Sequence, residues 1–460
     1  MKKSRVATAK ATWPPLPPPD ESEEARILRQ KEEEEAKRVS DNIDKSIFAE
    51  KERKKRSPNA KILLLGQAES GKSTVLKNFQ LHFSPKAFEA EADIWRPIIH
   101  LNLVRSVNFI LNFLSATFGG MRDSTSHQYT HGGSLSSDVR RLCARLAPLR
   151  QVEESLTKGI AGSNLPGLSD TPSYNPAKAS EVAIRSSAGW RAILKVRRQS
   201  EEALRGTGKL DDKDRRILAA CGEDMATLWN DASVRKALKE RDIALQEQPG
   251  FFLEDVDRII REDYVPTPKD ILCARVNTIG PEEHRINVEA ATDNAKEWII
   301  YDVGGSRSQR AAWAQYFDDV NVIIFLAPMS AFNQVLAEDE SVNRLTDTFK
   351  LWQMICGNKL LAQVELILFL NKFDILAAKL KAGVQFGKYV QAYGSRPNEL
   401  KAVSTFLVDI FTQIHKQNSP RRRKIHAHMT TAIDTKSTAS IIDRIHEVIM
   451  VKILAHSNIL

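Results

Sequence analysis

An α/β fold is what this sequence predicts: a mostly parallel sheet covered by helices on both faces, interrupted after its first strand by an all-helical insert. Three observations lead there. Short apolar runs at 61–65, 298–302, 320–327 and 364–370, with a more polar one at 425–430, have strand length, and turn residues and then helical spacing follow each. That alternation belongs to parallel strands joined by helices. Between the first run and the second, about 79–266 shows helical spacing of apolar residues, as at 98–114 and 211–228, and few strand signals. Finally, a glycine-punctuated turn begins at Gly66, where the first strand ends and a helix opens near Lys72.

Taken from the N-terminus, residues 1–20 read as disordered, because Pro14, Pro15, Pro17, Pro18 and Pro19 exclude helix. Residues 21–56 read as a charged helix with a thin apolar stripe of Ile27, Val39, Ile43 and Ile47. Such a stripe needs a partner or a surface, unless the helix simply bridges solvent. The sheet domain then takes 57–78 and 267–460, and the helical insert 79–266. Within the insert, Ser, Gly and Thr dominate about 119–176 with weak periodicity, so a flexible loop is expected. There is no internal repeat. A final helix is expected over about 437–460.

At 460 residues, two or three structural units are expected, and 42% hydrophobic with 27% charged residues is ordinary for a soluble globular chain. The net charge of +9 is uneven, concentrated in clusters at 51–56 and 421–424 beside acidic 32–35. It suits an anionic membrane face, a phosphate ligand or nucleic acid, and equally a solvated surface. Cys143, Cys221, Cys273 and Cys356 lack CxxC spacing, which argues against a disulfide framework or zinc site and fits a reducing compartment. No signal peptide opens the chain, and no apolar run approaches the roughly 18–20 residues that span a bilayer. A soluble or peripheral protein is expected.

Three motifs carry chemistry. Gly66-Gln67-Ala68-Glu69-Ser70-Gly71-Lys72-Ser73-Thr74 is a Walker A pattern between a strand and a helix. Glycines let backbone N–H groups converge on phosphate oxygens, and the helix N-terminus adds its positive dipole end. Lys72 supplies a point charge for the β and γ phosphates, and Ser73 offers a hydroxyl to Mg²⁺. Asp302-Val303-Gly304-Gly305 follows a strand. The carboxylate suits Mg²⁺, usually through water, and Gly305 lets its N–H approach a γ-phosphate. Asn371-Lys372-Phe373-Asp374 ends the run 364–370. Asp374 can accept from guanine N1–H and the exocyclic amine, whereas adenine would leave the carboxylate unsatisfied; the Lys372 stem can cover the base. That tetrapeptide rejects a reading as an ATPase or nucleic-acid motor, which a GTP-against-ATP competition would check.

In this order the motifs look like the Ras-type GTPase fold, and the long insert makes the chain resemble the α subunit of heterotrimeric G proteins. The stretches 251–259, 264–272 and 335–340 agree, and the resemblance spans about 61–460 apart from the loop-rich part of the insert. It implies a six-stranded sheet and a GDP/GTP switch with Mg²⁺. It places Arg275 as a built-in arginine finger, Thr278 as the Mg²⁺-binding threonine of the first switch, and Ala432 where a backbone N–H meets guanine O6. Glu69, Ser70, Gly71 and Thr74 fall in the phosphate loop. Implied partners are a βγ dimer, a seven-helix receptor met by the C-terminal helix, and an effector; nucleic acid is not among them. The implied location is cytoplasmic, at most peripheral on the inner face of the plasma membrane.

Departures from that family are specific. Ser306 stands where a catalytic glutamine orients the attacking water, and serine is too short and lacks an amide. Losses of positioning typically cost about two orders of magnitude or more. Slow or partner-dependent hydrolysis follows, unless Gln309 or another group substitutes; the alternative is a GTP-loaded scaffold with little or no hydrolysis. Ala311 and Ala312 replace lysines expected to face βγ, which weakens electrostatic complementarity and leaves Trp313 as an apolar anchor. Lys2 follows Met1 and the first cysteine is Cys143, so neither N-myristoylation nor N-terminal palmitoylation is expected.

Overall fold

Apolar side chains on both faces of each central strand decide the architecture. The computed structural model describes residues 22–56, 60–118, 135–161, 183–184, 212–241, 243–275, 277–278, 281–287, 297–420 and 423–456. Strand β1 (Ala60–Gly66) is buried throughout except at Lys61. Its Ile62 and Leu64 share one core with Val75, Phe79, Ile442 and Ile445. Leu63 and Leu65 point the other way, into a core with Trp352, Leu407 and Phe411. This is the period of two that a strand imposes.

The other strands of the sheet are β2 (Glu282–Asn287), β3 (Glu297–Asp302), β4 (Val322–Pro328), β5 (Glu365–Asn371) and β6 (Ile425–Met429). They form one six-stranded sheet in the order β6-β5-β4-β1-β3-β2. All neighbours run parallel except β2, which is antiparallel to β3. The edge strand β2 was not among the expected runs. Of its residues Glu-Glu-His-Arg-Ile-Asn only Ile286 is buried, so a one-sided edge carried no apolar signal. Helix α1 (Glu23–Arg56) belongs to a separate unit, 1–58, and exposes Ile27, Leu28, Val39, Ile43 and Phe48. The proline-rich 1–20 lies outside the described residues.

One sheet face carries α2 (Lys72–Phe83) and α11 (Thr435–His456); α8 (Arg344–Gly357) and α10 (Leu400–Asn418) cover the other, while α9 (Phe373–Lys381) follows β5. A third core joins α3 (Ala92–Phe118), α4 (Ser137–Leu146), α5 (Leu149–Ala161), α6 (Asp212–Asn230) and α7 (Ala232–Glu240).

Two expectations need correction here. The flexible loop expected near 119–176 contains α4 and α5. Val139, Leu142 and Leu146, then Leu149, Val152 and Leu156, recur at helical spacing and are buried, and Ser136 caps α4 by accepting from the Val139 N–H. Polar flanks masked that period; 119–134 and 162–176 lie outside the described residues. Helix α3 is long and apolar enough to cross a membrane, although no such run was expected, but 78% of the relevant window is buried inside the protein. Its polar residues interrupt the run and find partners inside the protein: a His100 ring nitrogen meets the Ile259 carbonyl at 3.0 Å, and Asn108 donates to Glu153 at 2.7 Å. It is a core helix.

Candidate nucleotide site

The loops that follow β1, β3, β5 and β6 converge at one end of the sheet, where ligands of open α/β folds bind. They line a cleft of about 1810 Å³ together with the insert. Gly66, at φ 146°, and Gly71, at φ 102°, begin and end the sharp turns of the phosphate loop. A Cβ on Gly71 would lie 2.3 Å from Asn371 Nδ2, so only glycine lets Asn371 brace the loop. That amide donates to the Ser70 carbonyl at 2.7 Å, while its oxygen accepts from Thr430 at 3.1 Å and from the Ala432 N–H at 3.3 Å. The three loops are thus tied through one side chain. Asn78 adds to this by donating to the carbonyls of Thr74 and Ala432.

Lys72 donates to the carbonyls of Gly66 and Gln67 at 3.0 and 2.8 Å. Burial, opposed by Asp302 and reinforced by Arg310 and Arg344, depresses its pKa to about 8. Lys372 is likewise depressed to about 8, first by burial. Glu69 and Lys372 are the non-glycine residues at positive φ among the described residues, near 59° and 61°. Strained backbone of this kind collects at functional sites. Asp374 is exposed on the first turn of α9 and faces the cleft.

Arg275 reaches the phosphate loop from the far wall: its Nη2 lies 2.8 Å from Glu69 Oε1. Asn102 of α3 fixes its backbone, accepting from the Arg275 N–H at 2.8 Å. Burial alone would raise Glu69, but Arg275, Arg344 and Lys372 outweigh it and hold the carboxyl at about 2. Ser73 Oγ donates to Asp302 Oδ2 at 2.8 Å, and burial pushes the Asp302 carboxyl up against the pull of Lys72 and Ser73. Thr278 lies in a two-residue strand paired with Ile184; its side chain is outside the described residues.

Among the described residues, no three His, Cys, Asp or Glu side chains stand ready to hold a metal by themselves. A hydroxyl and one buried carboxylate fit Mg²⁺, which takes few protein oxygens and completes its octahedron with phosphates and water.

A profile of the family described as G-protein alpha subunit matches residues 37–449. The chain belongs to that family. Guanine nucleotide-binding protein alpha-4 subunit of Mycosarcoma maydis is 31% identical, over 94% of this chain and 92% of its own length. Guanine nucleotide-binding protein subunit alpha-13 of Homo sapiens is 29% identical over 88% of each chain. The G(o) subunit alpha of Geodia cydonium is 27% identical over 93% of this chain and 98% of its own. This α subunit is therefore a guanine nucleotide-binding signal transducer of a GTPase family. Its relatives typically bind GTP or GDP with Mg²⁺ and work from the cytoplasm or the membrane periphery.

The turn 304–309 of this α subunit is arranged differently from the phosphate loop. Ser306 Oγ donates to Gln309 Oε1 at 2.9 Å and lies 3.3 Å from Ser308 Oγ. A Cβ on Gly304 would fall 1.9 Å from Gln309 Oε1, so the Gln309 amide lies flat on the glycine turn. Trp313, buried, donates to the Gly304 carbonyl at 2.9 Å. Sequence reasoning gave no role to Gln67, Arg344 or Asp347; the last two buttress the loop from α8, Arg344 donating to the Ala68 carbonyl at 2.6 Å and reaching Glu69 at 3.4 Å, and Asp347 accepting from Gln67 at 2.5 Å. The one local signal was Asn343, a good N-cap whose side chain accepts from Leu345 and Thr346.

Proposed function

We propose that this α subunit binds GTP and GDP tightly with Mg²⁺ and hydrolyses GTP slowly, or at full speed only when a partner completes the site. The observation that carries it is the contrast at 306: a short hydroxyl, already donating to Gln309, stands where an amide would orient water. Phosphates rest on the N–H groups of 66–74, with Lys72 as point charge. Asp374 and the Ala432 N–H read guanine, and Lys372 covers it. Ser73 and Asp302, with Thr278 by the family resemblance, would hold Mg²⁺, which would supply neutralisation of phosphate charge.

In hydrolysis, water attacks the γ-phosphorus in line, the bond to the β–γ bridging oxygen breaks, and GDP and phosphate leave. Arg275, by exchanging Glu69 for phosphate oxygen, stabilises charge on the leaving side. Gly305 offers its N–H to the γ-phosphate. Ser306 can hold water by one hydrogen bond, without the second anchor that fixes its direction. A second reading, in which Gln309 orients the water, is favoured by its bond to Ser306. A GTP-loaded scaffold is the limiting case of the slow enzyme.

For partners, we infer a βγ dimer met with weakened complementarity at Ala311 and Ala312, a seven-helix receptor at the C-terminal helix, and an effector whose chemistry is open. Attachment to a membrane is peripheral. Competition of GTP against ATP for the purified, Mg²⁺-loaded protein tests the binding half: GTP should win by about 10⁴-fold or more. Equal affinities would refute it.

A further inference from the structure

Gln67, the second residue of the phosphate loop, is buried to 1% exposure, and its amide reaches the first turn of α8. Nε2 donates to Asp347 Oδ2 at 2.5 Å and to the Arg344 carbonyl at 2.8 Å. Both partners are acceptors on the first turn of α8, so only the amide nitrogen suits this position. The other amide atom, Oε1, is buried without a hydrogen-bond partner. Asp347 also receives Arg310 in bidentate fashion, Nη1 to Oδ1 at 3.1 Å and Nη2 to Oδ2 at 2.7 Å. Arg310 in turn donates from Nε to the Gly305 carbonyl at 3.3 Å. Gly305 closes the circuit: a Cβ there would lie 2.3 Å from the Gln67 carbonyl carbon and 2.4 Å from the Ala68 nitrogen, so the two backbones touch.

We propose that Gln67 is a positioning residue that ties the phosphate loop to the segment 305–316 through Asp347 and Arg310, holding that segment against the loop in the GDP state as well as the GTP state. The ring Gln67–Asp347–Arg310–Gly305 closes through protein atoms alone. Its strength does not depend on a γ-phosphate. A ligand shifts a conformational equilibrium only by its differential affinity for the two states, so an element already held moves less on GTP binding. Charge assistance makes the Asp347 bonds strong, and burial keeps water from replacing them. The inference rests on the nucleotide reading above, since 305–316 is a switch only if Gly305 meets the γ-phosphate.

Hydrogen–deuterium exchange of 305–316 tests it in protein loaded with GDP or with a non-hydrolysable GTP analogue. In the wild type, exchange in the two states should agree within about threefold. Gln67→Met keeps the volume and loses the donor; it should speed exchange in the GDP form about tenfold, the scale of one hydrogen bond to a charged group, and the analogue form less. Asp347→Asn should do the same, and the double variant should add little to either single one, since coupled partners are non-additive. Arg310→Lys approaches the ring from its other side and gives the same comparison should Gln67→Met fail to fold. Wild-type-like exchange in Gln67→Met or Arg310→Lys, or full additivity, overturns the proposal. Failure to load either nucleotide overturns the nucleotide reading as well, whereas normal loading with unaltered exchange overturns this inference alone.

Discussion

The two walls of the cleft are built to different standards. On the wall assigned to guanine and phosphate, Asn371 ties three loops together, Lys72 is enclosed by carbonyls, and Glu69 is clamped between Arg275 and Arg344. On the wall assigned to water, Ser306, Ser308 and Gln309 bond chiefly to one another, and no long amide reaches out from position 306. Binding a nucleotide needs many donors held still, and a sheet end supplies them. Orienting one water needs a single side chain of the right length. One fold can therefore meet these two demands to different degrees.

Each wall can be challenged separately. The largest effect belongs to Asp374→Asn, which turns two acceptors into a mismatched pair against guanine. GTP affinity should fall about 10⁴-fold relative to a xanthine nucleotide, as equilibrium competition would record. An unchanged preference would remove Asp374 from the base site. Arg275→Ala comes next: single-turnover hydrolysis should drop by about 10² to 10³, the usual cost of one charge-stabilising donor. Because Arg275 also holds Glu69, nucleotide release should quicken in the same variant. Loss of retention with unchanged hydrolysis would make it a latch only.

A pH series has a smaller effect with a definite sign. Lys72 must be charged to hold phosphate, and its pKa in the free protein is lowered from 10.5 to about 8. Affinity should be flat below pH 8 and fall about tenfold per unit above it. Folding has the opposite sign: the unfolded chain binds more protons between pH 8 and 10.5, so the contribution of Lys72 to stability rises across that window. Smallest is Gln309→Ala, expected to change the single-turnover rate by less than about threefold; a tenfold loss would mean that Gln309 orients the water.

Much of this site was legible in the sequence because its parts are local. The Walker A run, Asp302-Val303-Gly304-Gly305 and Asn371-Lys372-Phe373-Asp374 each sit at a strand end, and apolar runs mark those strands. The resemblance then reached Arg275, Thr278 and Ala432, which no spacing marks. What stayed hidden is non-local or masked. Gln67 meets Asp347 across 280 residues, and nothing near either announces the other. Strand β2 shows one buried residue, Ile286, and is recognisable by its register against Trp298 rather than by its composition. Helices α4 and α5 were lost among polar flanks whose composition outweighed six well-spaced apolar positions.

Single-turnover hydrolysis of pre-bound GTP by the wild type and by Ser306→Gln, compared in one experiment with Mg²⁺, tests the contrast between the walls most directly. Both proteins should retain GTP, and the glutamine variant should hydrolyse it about 10² times faster. Equal rates would contradict the account, because the water wall would then owe nothing to the residue at 306.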